Sequence, residues 1–481
     1  MAEDGGFVQE IADQSDDYSR WYTDVVLKAE LADYSPVRGC MVIRPYGYAL
    51  WENMREALDA RFKATGHVNA YFPLLIPESL LKREAEHVAG FSPEVAWITE
   101  AGDDELDERL AVRPTSEVLM LTMYSKWVQS WRDLPILINQ WANVVRWEKR
   151  THLFLRTTEF LWQEGHTVHR TEEEAMEEVL RMLEVYRDFV ETELAIPVIT
   201  GRKSDAEKFA GAEATFTIEA MMGDARALQG GTSHAFGQRF ARAFDIDFLD
   251  QDGERKLAWT TSWGASTRLI GAVIMTHGDS DGLILPPRVA PFQVVIVPIF
   301  RKDEERVQVE AMVADVQKRL TGEFRVHVDW SDHTPGWKFN EWELRGAPVR
   351  LEIGPRDVAQ GQVVAVRRDS RQKETMPLAN LAPRLSELMV SIQQSLFARA
   401  LEFRAAHTHR VQTVDEVAEQ MERERGFFWA PWCGNAACED EVKARTGATL
   451  RCIPLAGGDE PGLCLVCKSD APQTAVFARA Y

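Results

Sequence analysis

No helix and no central strand can run through Leu285-Pro286-Pro287-Arg288-Val289-Ala290-Pro291. Proline fixes φ and lacks the amide proton that both hydrogen-bond ladders need, and three prolines stand here within six residues. The segment therefore reads as a linker and is the best candidate for a boundary between units. At 481 residues the chain also exceeds what one hydrophobic core serves, so two or three units are expected. A second break is chemical. Five of the six cysteines (Cys433, Cys438, Cys452, Cys464 and Cys467) fall in the last tenth of the chain, while Cys40 stands alone. This asymmetry does not suit a secreted disulfide framework and marks a local metal module instead. The division that follows is residues 1–287, 288–400 and 401–481.

In the first unit, Trp51, Met54, Leu58 and Phe62 recur at helical spacing after Pro45, and Gly66 follows as a stop. Residues 68–76 read as one apolar strand ending at Pro77. Thr171 with Glu174 forms a capping-box pattern, opening a helix whose apolar face is Met176, Val179, Leu183, Tyr186 and Val190. Helices and strands in irregular order predict an α+β unit on a mostly antiparallel sheet. Past the proline break, strands near 292–300, 324–328 and 348–353 and a helix near 304–320 predict a compact α/β unit. A long helical pattern over 381–405 leads out of it and tolerates Pro383 because that residue falls in the first turn.

Composition narrows the function classes. No stretch approaches the ~20 uninterrupted apolar residues of a membrane span. The acidic first 18 residues carry neither the basic nor the apolar segment of a secretory leader. A cytoplasmic protein with no membrane partner is the expectation. The net charge of −20, from 55 basic and 75 acidic residues, excludes a general nucleic-acid coat protein. It leaves room for an enzyme that meets nucleic acid through a local basic patch. From Arg345 to Lys373 seven basic residues face three acidic ones, which is such a patch or a solvated basic face.

The densest chemistry lies between Asn139 and Thr167, in Val145-Arg146-Trp147-Glu148, Arg156-Thr157-Thr158-Glu159-Phe160 and Leu161-Trp162-Gln163-Glu164-Gly165-His166. An arginine and a glutamate two apart on a strand face the same side. Arg156, Phe160 and Glu164 recur at a spacing of four. An ATP site needs guanidinium forks for phosphate, an aromatic face for adenine and an acid for an amine, and this segment supplies all three. An exposed strand edge laced with ion pairs is the plainer alternative. Downstream, Trp263-Gly264-Ala265-Ser266-Thr267-Arg268 puts an arginine at the head of an apolar helix, where its charge needs a partner or a ligand.

These segments resemble motifs 2 and 3 of the class II aminoacyl-tRNA synthetases, and residues 45–77, with Pro73, resemble motif 1, the dimer-forming unit. The resemblance implies that Arg146 bridges the amino-acid carboxylate and the ATP α-phosphate, with Glu148 nearby. It implies that Arg156 reaches the terminal phosphate, that Phe160 stacks on adenine, and that Arg268 packs on adenine's other face and touches phosphate. Within that class, Pro114-Thr115-Ser116-Glu117 is similar to the loop of the prolyl-tRNA synthetases in which the Thr and Glu hold the substrate ammonium. Trp162 and His166 fall where that family lines its proline pocket. Gln229-Gly230-Gly231-Thr232-Ser233-His234 resembles its signature stretch beside ATP and proline. The chemistry agrees: proline offers a carboxylate, an ammonium and an apolar ring, matched by Arg146, by Glu117 with Thr115, and by Trp162 with His166.

The second unit resembles the anticodon-binding domain shared by the prolyl, threonyl, histidyl and glycyl enzymes. Residue matching implies that Glu343, Arg350, Arg356 and Asp357 read anticodon bases, and their donors and acceptors suit guanine. In the tail, Cys433-x4-Cys438 and Cys464-x2-Cys467 suit a closed, structural Zn2+ site with four thiolates. Cys452 is a spare that could replace one of them or be a buried thiol. The archaeal-type prolyl enzymes carry such a module and end in an aromatic residue, usually Tyr, whose carboxylate folds back near the active site; Tyr481 matches it.

The expected fold is thus a class II antiparallel-sheet catalytic domain, an α/β anticodon-binding domain and a small α/β zinc-binding domain. The expected activity is ATP- and Mg2+-dependent attachment of L-proline to tRNA(Pro) by a homodimer. About ninety residues separate His166 from Trp259, too few for an inserted editing domain. Alanine, one step smaller in an apolar pocket, is then poorly excluded, since a methylene is worth only ~1–3 kcal/mol. Two rivals remain: a threonyl-type enzyme, which needs a core cysteine for a catalytic zinc, and a non-catalytic RNA-binding paralogue, which would lose the phosphate-binding arginines.

Overall fold

The computed structural model describes residues 11–87 and 94–481. The first ten residues of the acidic start lie outside the described residues. The first unit contributes strands β1 (Val68–Asn69), β2 (Ile136–Val145), β3 (Glu159–His169), β4 (Val198–Arg202), β5 (Ala214–Met221), β6 (Ala227–Gly237) and β7 (Trp259–Ser266). The middle unit contributes β8 (Val294–Pro298), β9 (Val326–Val328), β10 (Val349–Ile353), β11 (Gln362–Arg367) and β12 (Lys373–Pro377). The cysteine-rich unit adds β13 (Thr408–Arg410), β14 (Phe427–Trp432), β15 (Thr449–Pro454) and β16 (Gln473–Ala478).

These strands pair antiparallel from β4 through β5, β6, β7 and β3 to β2, and the short β1 runs parallel to β2 at the edge. The helix Glu172–Thr192 covers one face. Its buried stripe of Val179, Leu183, Tyr186 and Val190 is the one its sequence predicts, and Met176 packs half-buried beside it. Thr171 accepts the Glu174 amide at 3.2 Å, but the Glu174 carboxylate reaches one residue further back than a capping box requires, to the Arg170 amide at 3.0 Å. Residues 68–76 do not form one strand. The chain breaks after Asn69 and resumes pairing at Leu75–Pro77, with Pro73, which has no amide proton, in the gap.

The middle unit is a five-stranded mixed sheet, in the order β9-β8-β10-β11-β12, with the helices Asp303–Leu320 and Leu381–Ala406 packed into its core. The proline segment before it is neither helix nor strand, yet it is firmly held. Arg325 donates to the carbonyls of Ala290, Pro287 and Arg288 at 2.8, 2.9 and 3.0 Å, and Leu285, Val289 and Ala290 are fully buried. The cysteine-rich unit does not stand apart. β15 pairs antiparallel with β4 (Ile453 opposite Arg202, Pro454 opposite Gly201), so its strands extend the sheet of the first unit to eleven.

Candidate active site

A cavity of 260 Å³ opens where β3, β7, β6 and β5 lie side by side. From β3 come Phe160, Trp162, Glu164 and His166, every second residue, which the pleat turns to one face. The two-residue alternation governs here, not the spacing of four. Gln229 and Thr232 of β6 are three apart and both line the cavity because Gly230 is an extra residue, a bulge opposite Ile218 and Glu219. His234 follows on the same face, and Arg268 enters from the head of the helix Arg268–His277, which follows β7. Gly165 is fixed by packing: a Cβ there would overlap the Trp263 indole.

Glu164 is the hub. Buried, it accepts from the Thr115 hydroxyl at 2.8 Å, the Ser116 amide at 2.9 Å and the Gln140 amide group at 3.2 Å, and faces His166 Nε2 at 3.2 Å. Burial alone would raise its pKa, but these donors and the neighbouring imidazole outweigh that and hold it near 2. The carboxylate thereby pins the Pro114–Glu117 loop, at whose end Glu117 opens the helix Glu117–Trp127 and lines the cavity. His234 accepts or donates at the Thr215 hydroxyl (2.9 Å), and burial, then the charge of His166, pushes it down to about 3, so it is neutral.

Arg146 and Arg268 both line the cavity, and neither forms an ion pair among the described residues. Each donates its Nε to a backbone carbonyl at 3.1 Å, Arg146 to Pro114 and Arg268 to Leu155. The Arg146 guanidinium also sits 5.5 and 5.2 Å from the centres of the Phe160 and Trp162 rings. Burial lowers the pKa of both arginines, and for Arg268 the like charges of Arg146 and Arg156 add to it. Two desolvated guanidinium groups aimed into one cavity make a site for anions.

β2 ends at Val145, so Arg146 and Glu148 do not share a strand as the sequence suggests. The Arg146 amide still reaches the Thr158 carbonyl at 2.8 Å, in register with the pairing of Val145 and Glu159, but the Thr158 amide turns to the Gly39 carbonyl at 2.9 Å and the Trp147 amide to that of Glu94 at 2.8 Å, and the chain leaves the sheet. Glu148 and Arg156 do not line the cavity; they pair with each other at 2.9 Å on the loop beside it, with Arg156 largely exposed. Glu164, which the sequence singled out by the wrong spacing and without a role, also lines the wall, as do Lys203, Glu207, Phe209 and Thr215, which sequence reasoning left out. The alternation along β3 could have placed Glu164 there. No local signal marks Lys203, whose role depends on distant partners. Cys40 does not line the cavity, and Cys452 is buried in β15 away from the other tail cysteines.

In the middle unit, Arg350 is nearly buried between Glu343 at 2.8 Å and Glu352 at 3.0 Å. Asp357 caps the helix Pro355–Gln360, accepting the Gly354 amide at 2.9 Å, while Arg356 is exposed. In the tail, the sulfurs of Cys433, Cys438, Cys464 and Cys467 lie within 4.8 Å of one another, with Cys433 3.7 Å from both Cys438 and Cys467. Thiolates ~2.3 Å from a tetrahedral zinc ion stand ~3.8 Å apart, so the donor set fits such an ion. Tyr481 lies alongside β6: its amide donates to the Ala227 carbonyl at 3.1 Å and its hydroxyl to Asp224 at 2.8 Å.

Comparison with known proteins places these units. Residues 97–277 match the model of the tRNA synthetase class II core domain (G, H, P, S and T), 293–388 that of the anticodon binding domain, and 414–481 that of the prolyl-tRNA synthetase C-terminal region. The proline–tRNA ligase of Natranaerobius thermophilus is 59% identical over 478 residues, covering 99% of each chain. That of Symbiobacterium thermophilum is 56% identical over 489 residues and the whole of both chains. The crystal structure of the prolyl-tRNA synthetase from Cryptosporidium parvum, complexed with halofuginone and AMPPNP, superposes with a TM-score of 0.93 at 40% identity, covering 98% of this chain and all of that one.

Proposed function

The chain belongs to the proline–tRNA ligases, with the class II core, anticodon-binding unit and C-terminal unit in the family's order, and from that premise we propose how its residues divide the work. It activates proline with ATP and transfers it to tRNA. ATP, entering with its Mg2+, lays its triphosphate along Arg146 and Arg268 and its adenine against Phe160, near Gln229 and Thr232. Arg156 and Glu148 swing in from the adjacent loop, where their ion pair is exposed enough to exchange partners. Proline places its ammonium at Thr115 and Glu117, its ring between Trp162, His166 and His234, and its carboxylate at Arg146.

The carboxylate then attacks the α-phosphorus in line and pyrophosphate leaves. The 3′-terminal hydroxyl of tRNA next attacks the prolyl carbonyl, releasing AMP. No side chain acts as nucleophile. Positioning and cationic stabilisation of the phosphate carry the rate. The observation that supports this reading is the pair of cavity arginines that form no ion pair among the described residues, in a cavity that Glu117 and Thr115 also line.

Arg356, exposed, is our first choice for an anticodon contact; Glu343, Arg350 and Asp357 would need to release their present partners first. Cys433, Cys438, Cys464 and Cys467 hold a Zn2+ that ties the tail together and takes no part in chemistry. Two copies associate through residues 45–77, where Val68 and Tyr71 are 61% and 73% exposed beside the sheet edge. The domain limits are placed at 287 and 400. No described helix is long and apolar enough to cross a membrane, and we assign the enzyme to the cytoplasm, where its tRNA is. Pyrophosphate exchange with a panel of amino acids tests the site: proline should support exchange, and exchange driven by threonine but not proline would overturn the assignment.

A further inference from the structure

The tail unit reaches the cavity wall through one buried carboxylate. Glu219, on β5 and fully buried, accepts from Lys203 Nζ at 2.8 Å and from Arg451 at 3.0 Å through both Nε and Nη2. The Thr217 hydroxyl adds a third donor at 3.1 Å. Lys203 lines the cavity and is only 5% exposed; Arg451, 8% exposed, belongs to β15, the tail strand that pairs with β4. Glu219 stands opposite Gln229, and Gln229 borders the same cavity as Arg268. Two cations therefore share Glu219, and this trio by itself carries a net positive charge, with Glu207 the nearby carboxylate on the same wall.

Without Arg451 the arrangement would be a neutral Lys203–Glu219 pair. A buried lysine matched by its own carboxylate offers little to an incoming anion, because the attraction it would exert is cancelled at close range. With Arg451 holding the far side of Glu219 through two donors, the surplus charge falls on the cavity. We propose that Arg451 is a positioning residue for the ATP end of the site: by sharing Glu219 it leaves Lys203 as an effective cation toward the triphosphate. The tail unit is thus part of the ATP site through charge balance, although none of its side chains lines the cavity. This rests on the reading of the cavity as the ATP site.

Pyrophosphate exchange tests it, with the full-length enzyme at saturating proline and varied ATP, and then the reverse. Arg451→Met should raise the KM for ATP about tenfold, the scale of one unit charge lost near a partly desolvated polyanion, with the KM for proline unchanged. Lys203→Met, which neutralises the group from the other side, should do the same. The double variant Glu219→Gln with Arg451→Met restores the single net charge and should bring the KM for ATP back toward wild type. Packing alone predicts the opposite, since the double variant removes more contacts. Arg451→Lys should retain most of the affinity.

A KM for ATP unmoved in Lys203→Met, an equal rise for proline, or a double variant no better than Arg451→Met would each overturn the proposal. If Arg451→Met does not fold, Lys203→Met/Glu219→Gln decides in the same way: it leaves Arg451 as the single net charge and should bring the KM for ATP back below that of Lys203→Met, whereas a KM no lower than that of Lys203→Met would overturn the proposal. Wild-type enzyme without proline-dependent exchange would sink the site assignment itself, a result distinct from any of these.

Discussion

Arg146 in the catalytic unit and Arg350 in the anticodon-binding unit look alike in sequence: each is a lone arginine amid apolar strand residues and a candidate for contacting a nucleotide. Their surroundings differ in one respect. Arg350 is closed off by Glu343 and Glu352, so its charge is spent within the domain. Arg146 gives only its Nε to a carbonyl and rests on two aromatic rings, with no carboxylate of its own among the described residues. A guanidinium already matched holds a fold together. One without such a direct pair suits the anion-binding role we propose for Arg146, because less has to be broken when a ligand arrives.

Swapping the two losses gives the sharpest contrast. Arg146→Ala should lower proline-dependent pyrophosphate exchange by about 10³-fold or more, with little change in the urea midpoint. Residual exchange within tenfold of wild type would place it outside the chemistry. Arg350→Met should do the reverse, leaving exchange intact, which needs no tRNA, while costing about 1–3 kcal/mol of stability in urea unfolding because Glu352 stays buried with only Lys373, 3.4 Å away, to balance it. Equal loss of exchange in this variant would erase the distinction. Arg356→Ala, removing the exposed neighbour, should weaken tRNA charging by about five- to tenfold and leave both exchange and stability alone. An unaltered charging rate would move anticodon recognition elsewhere.

The smallest effect concerns pH. Burial holds His169 near 4 and both His234 and His277 near 3, below the ~6.5 of an unfolded imidazole. The unfolded chain binds these protons first, so their contribution to stability is whole above pH ~6.5 and shrinks as pH falls toward their folded values. Glu164, held near 2, adds a loss of the same sign below the unfolded carboxylate value of ~4.3. Urea midpoints should therefore decline from pH 6.5 downward, and His277→Gln should flatten the slope by one proton. A slope that this variant leaves unchanged would mean that His277 titrates alike in both states.

The comparison also shows what a sequence can carry. The pocket residues were legible where chemistry and local periodicity coincide, as in Phe160, Trp162 and His166 along one strand or Gln229 to His234 around a bulge. The boundaries of the long helices were legible too, since Thr171 and Pro383 act within their own turn. Partner choice was not. Nothing near Arg350 in sequence tells that Glu343 will swing beside it, and nothing near Lys203 announces a glutamate sixteen residues on or an arginine from the tail. The 68–76 segment failed for a different reason: apolar content suggests one strand, but Pro73 cannot donate to a ladder, and the two ends pair with different strands.

The union of β15 with β4 carries a practical consequence. A catalytic fragment trimmed before the tail would bare the backbone amides and carbonyls of β4, an unpaired ribbon that invites other chains to add themselves. Shortened forms of this enzyme should therefore clump, and any ancestor lacking the tail needed some other cover along that border.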